Sequence, residues 1–218
     1  MRLFLDSCVK KDIEGALETG FVEGLTTNPA LLGKAESVSA QLLKDIANLV
    51  KGPVSFQVLS ESAEEMVLQG KNLAKIASNV VVKIPLTWQG LQATRQLTSK
   101  GIPVNVTLCF SSAQALLAAK AGATYISPFI GRLEDAGENG LQLIEDIRIL
   151  YDFYGLDTQI MAASIRNVGH VVGASKGGAD IATLPFKVFS QLAHHTATDK
   201  GLADIVPLYG TLQQKLLS

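Results

Sequence analysis

The chain has 218 residues, of which 47% are hydrophobic and 18% charged, and a formal net charge of -1. That length and apolar content can fill one sizeable core, while the near-neutral balance excludes a general electrostatic attraction to nucleic acid or to an anionic membrane. No apolar run approaches the roughly 18 residues of a membrane span, so neither is an expected partner, and any anion must be held by a local site.

The two cysteines, Cys8 and Cys109, sit in or beside apolar runs. They are too few for a disulfide framework and fit a reduced compartment. The opening MRLFLDSC has a short apolar stretch interrupted by Asp6 and does not read as a signal peptide. A cytoplasmic location is the expectation. His170, His194 and His195 share no metal-ligand spacing with Cys, Asp or Glu. They read as surface or helix-end residues, and no metal site is expected. Neither a GxxxxGK[ST] phosphate loop nor a GxGxxG fingerprint is present.

Taken in chain order, short β-branched runs recur at 3–7, 24–28, 54–59, 80–86, 104–110, 124–129, 159–164 and 181–185. Segments of helical period lie between them. In 61–77, Met66, Val67, Gly70, Leu73, Ala74 and Ala77 mark one face; in 137–154, Leu141, Ile144, Ile147, Tyr151 and Tyr154 do the same. Runs such as VVVKIP are apolar on both faces, as strands covered on both sides are. Eight βα units predict a single (β/α)8 TIM barrel over 1–218, compact beside the typical length of about 250 residues. A doubly wound open sheet has the same periodicity, because a repeat does not reveal closure. In the tail, 198–218, Leu208, Leu212 and Leu216 recur every fourth residue. They mark a helix packed on its own barrel or on a neighbouring subunit.

Active sites of such barrels gather where strands end and βα-loops begin. Lys83 stands out there, with three valines before it and Ile-Pro after it. A lysine so placed is paired, snorkelling or functional. In a dry site its pKa falls, and the neutral amine becomes a nucleophile toward a carbonyl. Asp6 ends the first run. It reads as a general acid/base for a sugar hydroxyl, as a partner for Lys83, or as a helix N-cap. Thr26 and Asn28 precede Pro29, a helix-start signal that also offers an amide to sugar hydroxyls. Gln57 and Thr107 are polar residues inside apolar strands and need partners, of which a held water is one. Arg132 and Arg166 follow two successive strands, with Ser164 nearby. Each arginine reads alone as a surface ion-pair residue, and together they read as a phosphate site.

The segments FLDS, GLTTNPALL, VVVKIPLTWQG, NVTLCFSSAQALLAAKAGATYISPFIGRLEDAG, DTQIMAASIRN and HHTATDKG follow one another along nearly the whole chain. Together they resemble the transaldolase family, in particular its short-chain members, with the fructose-6-phosphate aldolases next to them. The resemblance implies a TIM barrel and an enzyme of the pentose phosphate pathway, a transferase with no metal or organic cofactor. Lys83 would form a Schiff base with the C2 ketone of fructose 6-phosphate or sedoheptulose 7-phosphate. Asp6 would take the C4 hydroxyl proton as the C3–C4 bond breaks, and the dihydroxyacetone unit left on Lys83 would pass to an aldose phosphate. Asn28 and Asn105, with Thr26 beside them, would bind sugar hydroxyls, and Ser127 would border the bound unit. Thr107 would hold a water, and Arg132, Ser164 and Arg166 would take the phosphate. The family also implies homo-oligomers, pentamers or decamers, in which the tail reaches a neighbour. Two positions pull apart. Gln57 stands where transaldolases usually have glutamate and is aldolase-like, whereas Phe129 is transaldolase-like where the aldolases have tyrosine. Transaldolase is the expected activity, with fructose-6-phosphate aldolase the alternative.

Overall fold

The computed structural model describes residues 1–33 and 39–216. The β-branched runs form eight strands: β1 (Arg2–Asp6), β2 (Gly24–Thr26), β3 (Val54–Gln57), β4 (Val80–Pro85), β5 (Val104–Cys109), β6 (Tyr125–Pro128), β7 (Gln159–Ala162) and β8 (Ile181–Leu184). The helices among the described residues are α1 (Lys10–Leu17), α2 (Pro29–Leu32), α3 (Ala40–Leu49), α4 (Ala63–Ala74), α5 (Trp88–Thr98), α6 (Ser112–Lys120), α7 (Ile130–Asp135), α8 (Gly140–Tyr154), α9 (Val168–Lys176), α10 (Phe186–Gln191) and α11 (Thr196–Leu216). Each strand pairs in parallel with the next, and β8 pairs with β1. The sheet is a closed barrel in sequence order, which excludes the open-sheet alternative.

Local sequence accounts for the βα turns. Ser39, Ser62, Thr87, Ser111, Asn139 and Asn167 each have an extended backbone and accept a backbone N–H from the first helical turn. Side-chain caps of this kind stabilise a helix start by about 1 kcal/mol each. Tyr154, grouped by period with the buried face of α8, is exposed instead. It is the last residue of that helix, and the left-handed Gly155 (φ 60°) turns the chain away there.

Two apolar layers result. The larger lies between the sheet and its helices. The smaller, made of Phe4, Val81, Tyr125, Met161 and Ile181, fills the barrel interior. Strand partners in register share a face, so Asp6, Thr26, Ser55 and Val81 all point inward. A methyl on Gly24 would sit 2.4 Å from the Phe4 ring; glycine is what lets that ring plug the barrel. Above this plug, toward the C-terminal strand ends, the inward residues become polar.

The tail is helical as far as Leu216, as its spacing predicts. Leu202, Ile205, Val206, Tyr209 and Leu212 on α11 are each about half exposed. The described apolar side chains of α11 are therefore not covered by their own barrel, while the side chains of Leu208 and Leu216 lie outside the described residues. No helix among the described residues is long and apolar enough to cross a membrane.

Candidate active site

A cavity of about 570 Å³ opens at the C-terminal ends of the strands. Lys83 reaches it from the middle of β4. The side chain is 6% exposed, and its Nζ donates to the Thr27 carbonyl at 3.0 Å. Burial holds the amine below its ordinary pKa; the Asp6 carboxylate opposes this, and the Arg132 guanidinium adds to it. The neutral, nucleophilic form is favoured for a physical reason, namely desolvation beside a second cation.

Asp6 faces Lys83 from the end of β1. Burial raises its pKa, against the charge of Lys83 and hydrogen bonds from Thr26 and Asn28. The Thr26 hydroxyl donates to Asp6 Oδ1 at 2.7 Å and lies 2.6 Å from the Thr183 hydroxyl. A threonine has a single proton to donate. With that of Thr26 committed to Asp6, Thr183 must be the donor in the second bond, and the chain runs Thr183 to Thr26 to Asp6. Asp6 is not the cap of α1, whose N-cap is Val9; the strand ends three residues earlier. Asn28 serves two ends. Its Oδ1 caps α2 by accepting the Leu31 N–H at 2.9 Å, and its side chain also hydrogen-bonds Asp6.

Gln57 on β3 and Asn105 on β5 are the register partners of Lys83. Gln57 lines the cavity. Asn105 is fully buried behind its wall. Its Oδ1 accepts from the Ser127 hydroxyl at 2.7 Å, and its amide donates to the Ser55 hydroxyl at 3.3 Å. Ser127, not Asn105, therefore presents the polar atom to the cavity. On β5 the register shifts between Val106 and Cys109, and Leu108 takes a φ of 62°. A bulge of this kind re-aims its neighbours. Thr107 Oγ1 lies at the cavity, buried and with no protein hydrogen-bond partner among the described residues.

The opposite wall comes from the loops after β6 and β7. Arg132 on α7 stacks its guanidinium 4.8 Å over the Phe129 ring. Arg166 pairs with Asp135 at 2.8 Å, both partners well exposed. Ser164 has a φ of 57°. Leu108 and Ser164, the two non-glycine residues of positive φ among those described, both line the cavity. Each conformation costs on the order of 1 kcal/mol or more, strain of the sort that collects at functional sites. Gly131 N donates to the Ser164 carbonyl at 3.1 Å, so the two loops are in direct backbone contact.

A family model described as transaldolase/fructose-6-phosphate aldolase matches residues 3–216. The chain belongs to that family. It is 50% identical, over the full length of both chains, to a probable transaldolase of Dinoroseobacter shibae. A probable transaldolase of Lactiplantibacillus plantarum is 52% identical over 93% of this chain and 94% of its own. Among solved structures, a mandelate oxidase mutant aligns at a TM-score of 0.60 with 15% identity, over 88% of this chain and 67% of that one. A flavocytochrome b2 variant aligns at 0.64 with 14% identity, over 88% and 58%. At such identity the likeness is one of barrel fold alone.

Asn105 is the one expected site residue that does not line the cavity; the others do. Thr183 is an addition to the cavity lining, whereas Ser55, hydrogen-bonded to Asn105, lies outside that lining. Both follow the rule that picked Gln57 and Thr107, a polar residue inside an apolar strand, and both were open to that reading. His170 is a helix-end residue, in the first turn of α9, and not a surface one. It is buried, and its Nε2 lies 2.7 Å from Glu134 Oε2. Cys109 is not a second nucleophile: burial pushes its thiol up to about 12. No group of three His, Cys, Asp or Glu side chains converges among the described residues.

Proposed function

We propose that the enzyme is a transaldolase working through a Schiff base on Lys83. The observation that carries this is a buried lysine, held toward its neutral form, sharing a cavity with one carboxylate. The neutral Nζ attacks the C2 ketone of fructose 6-phosphate or sedoheptulose 7-phosphate, and loss of water leaves an iminium. The Asp6 carboxylate takes the C4 hydroxyl proton. The C3–C4 electrons flow into the iminium, an aldose phosphate departs, and an enamine stays on Lys83. The enamine carbon then attacks the acceptor aldehyde, erythrose 4-phosphate or glyceraldehyde 3-phosphate. Asp6 returns its proton to the new oxygen, and water hydrolyses the iminium. General acid–base help of this kind contributes about 10²–10⁴-fold. The iminium is itself the electron sink, so the chemistry requires no metal or organic cofactor.

Thr107, whose hydroxyl is otherwise unpartnered, is the candidate to hold the hydrolytic water. Gln57 orients that water without accepting its proton at neutral pH. Arg132, Ser164 and Arg166 take the phosphate, and Thr26, Asn28 and Ser127 bind sugar hydroxyls. A cytoplasmic place in the pentose phosphate pathway follows from those substrates. The uncovered apolar side chains of α11 support a homo-oligomer, pentameric or decameric by family resemblance.

Gln57 favours the second reading, fructose-6-phosphate aldolase. Phe129 opposes it, because it has no phenolic hydroxyl to hold a water that would protonate the enamine, which then awaits an acceptor. The deciding experiment follows glyceraldehyde 3-phosphate release from fructose 6-phosphate with and without erythrose 4-phosphate. Release that depends on the acceptor supports transfer. Acceptor-independent release with free dihydroxyacetone supports the aldolase. Borohydride trapping with fructose 6-phosphate tests the Schiff base itself.

A further inference from the structure

We propose that His170 is a positioning residue that, through Glu134, sets the spacing of the two guanidiniums that receive the substrate phosphate; this rests on the phosphate reading of Arg132 and Arg166 above. His170 sits in the first turn of α9 and is almost wholly buried. Its Nδ1 accepts the backbone N–H of Arg166 at 3.3 Å. A ring nitrogen that accepts carries no proton, so the proton is on Nε2. That N–H donates to Glu134 Oε2 at 2.7 Å. Glu134 lies two residues beyond Arg132 on α7. One imidazole thus joins the backbone of one arginine to the short helix that carries the other.

Three further contacts tie the same loops, and none replaces this one. Ile130 N to the Ala163 carbonyl, at 3.0 Å, and Gly131 N to the Ser164 carbonyl, at 3.1 Å, fix the start of α7 but not its later turn. The ion pair of Arg166 with Asp135 is exposed on both sides, where such pairs contribute little. A phosphate arriving at Arg166 also competes with Asp135 for the same donors. When substrate binds, the buried link through His170 is the side-chain tie that remains.

The test compares kcat/KM for fructose 6-phosphate with that for unphosphorylated fructose, both with erythrose 4-phosphate as acceptor. His170→Phe and Glu134→Ala are each expected to lower the ratio of the two about tenfold, through KM, the size of one hydrogen bond to a charged group. The double variant is expected to be no worse than the poorer single one, because both changes cut one link. Glu134 is partly exposed, so Glu134→Ala is informative even if His170→Phe does not fold. A purely structural role for His170 would lower the melting temperature and leave the ratio at its wild-type value, which would overturn the proposal. Arg132→Ala separates the two layers of the argument. If it lowers the ratio while Glu134→Ala and His170→Phe do not, the positioning role fails alone. If Arg132→Ala leaves the ratio unchanged, the phosphate reading fails and the positioning role falls with it.

Discussion

Gly131→Ala inserts a methyl where two loops touch. The new Cβ would lie 2.2 Å from the Ser164 carbonyl oxygen, 2.6 Å from Arg166 Nε and 2.7 Å from Arg166 Cγ. Ordinary van der Waals contact begins at 3.4 Å, so α7 and the loop after β7 must part by about 1 Å, given the stiffness of a packed site. The Arg166 side chain can swing away. The Ser164 carbonyl cannot, because it belongs to backbone already strained at positive φ and bonded to Gly131 N. Overpacking of this kind costs about 1–3 kcal/mol, which for a chain of this size lowers the melting temperature by roughly 2–12 °C. A 1 Å displacement at a substrate clamp costs up to about a hundredfold. Steady-state kinetics should therefore show KM for fructose 6-phosphate raised about ten- to a hundredfold, alongside a depressed thermal midpoint in calorimetry. Wild-type KM together with an unchanged midpoint would mean that these loops yield freely, and the rigid-clamp argument would be wrong.

Lys83→Ala is expected to stay folded, to lose turnover, and to show no added mass after borohydride treatment with fructose 6-phosphate; a covalent adduct on the variant would move the nucleophile elsewhere. The depressed pKa of Lys83 has a definite sign in its pH dependence. Its neutral form is the reactive one, so adduct formation rises with pH and levels off below the ordinary lysine value of 10.5. Asp6→Asn removes the one influence that raises Lys83, leaving burial and Arg132 to pull the same way. The midpoint of trapping should then move to lower pH while turnover falls by about 10²-fold or more; an upward shift contradicts the pairing. Thr183→Val keeps the shape of the side chain and removes the outer donor of the chain leading to Asp6. A drop in kcat of about tenfold, with KM little changed and recovery in Thr183→Ser, is the expected result for one lost hydrogen bond. Equal activity in the valine and serine variants would show the outer bond to be idle.

Much of this was legible in the residue order because its causes are local. Apolar runs separated by helical periods read directly as βα units, and the strands appear within a residue or two of where the spacing placed them. Lysine amid valines, and glutamine and threonine inside apolar strands, announced themselves because an inward polar side chain near a strand end is rarely accidental. The same rule extended to Thr183 would have found one more residue of the cavity. It ranked Asn105 with the cavity residues, since position along a strand does not tell a side chain that opens into the cavity from one that is sealed behind its wall.

What the sequence determined by itself was therefore the element order, the barrel-type repeat, the family resemblance and the set of chemically able side chains. The tertiary structure decided what depends on contacts between distant positions. It closed β8 onto β1 and set Thr183 against Thr26, 157 residues apart. Burial drew the pKa values of Lys83 and Asp6 toward their neutral forms. His170, unremarkable as a letter in a string, became the link between two loops. Periodicity and residue type are properties of neighbours along the chain, whereas desolvation, register and hydrogen-bond direction arise only when the chain has brought remote atoms together and excluded water from between them.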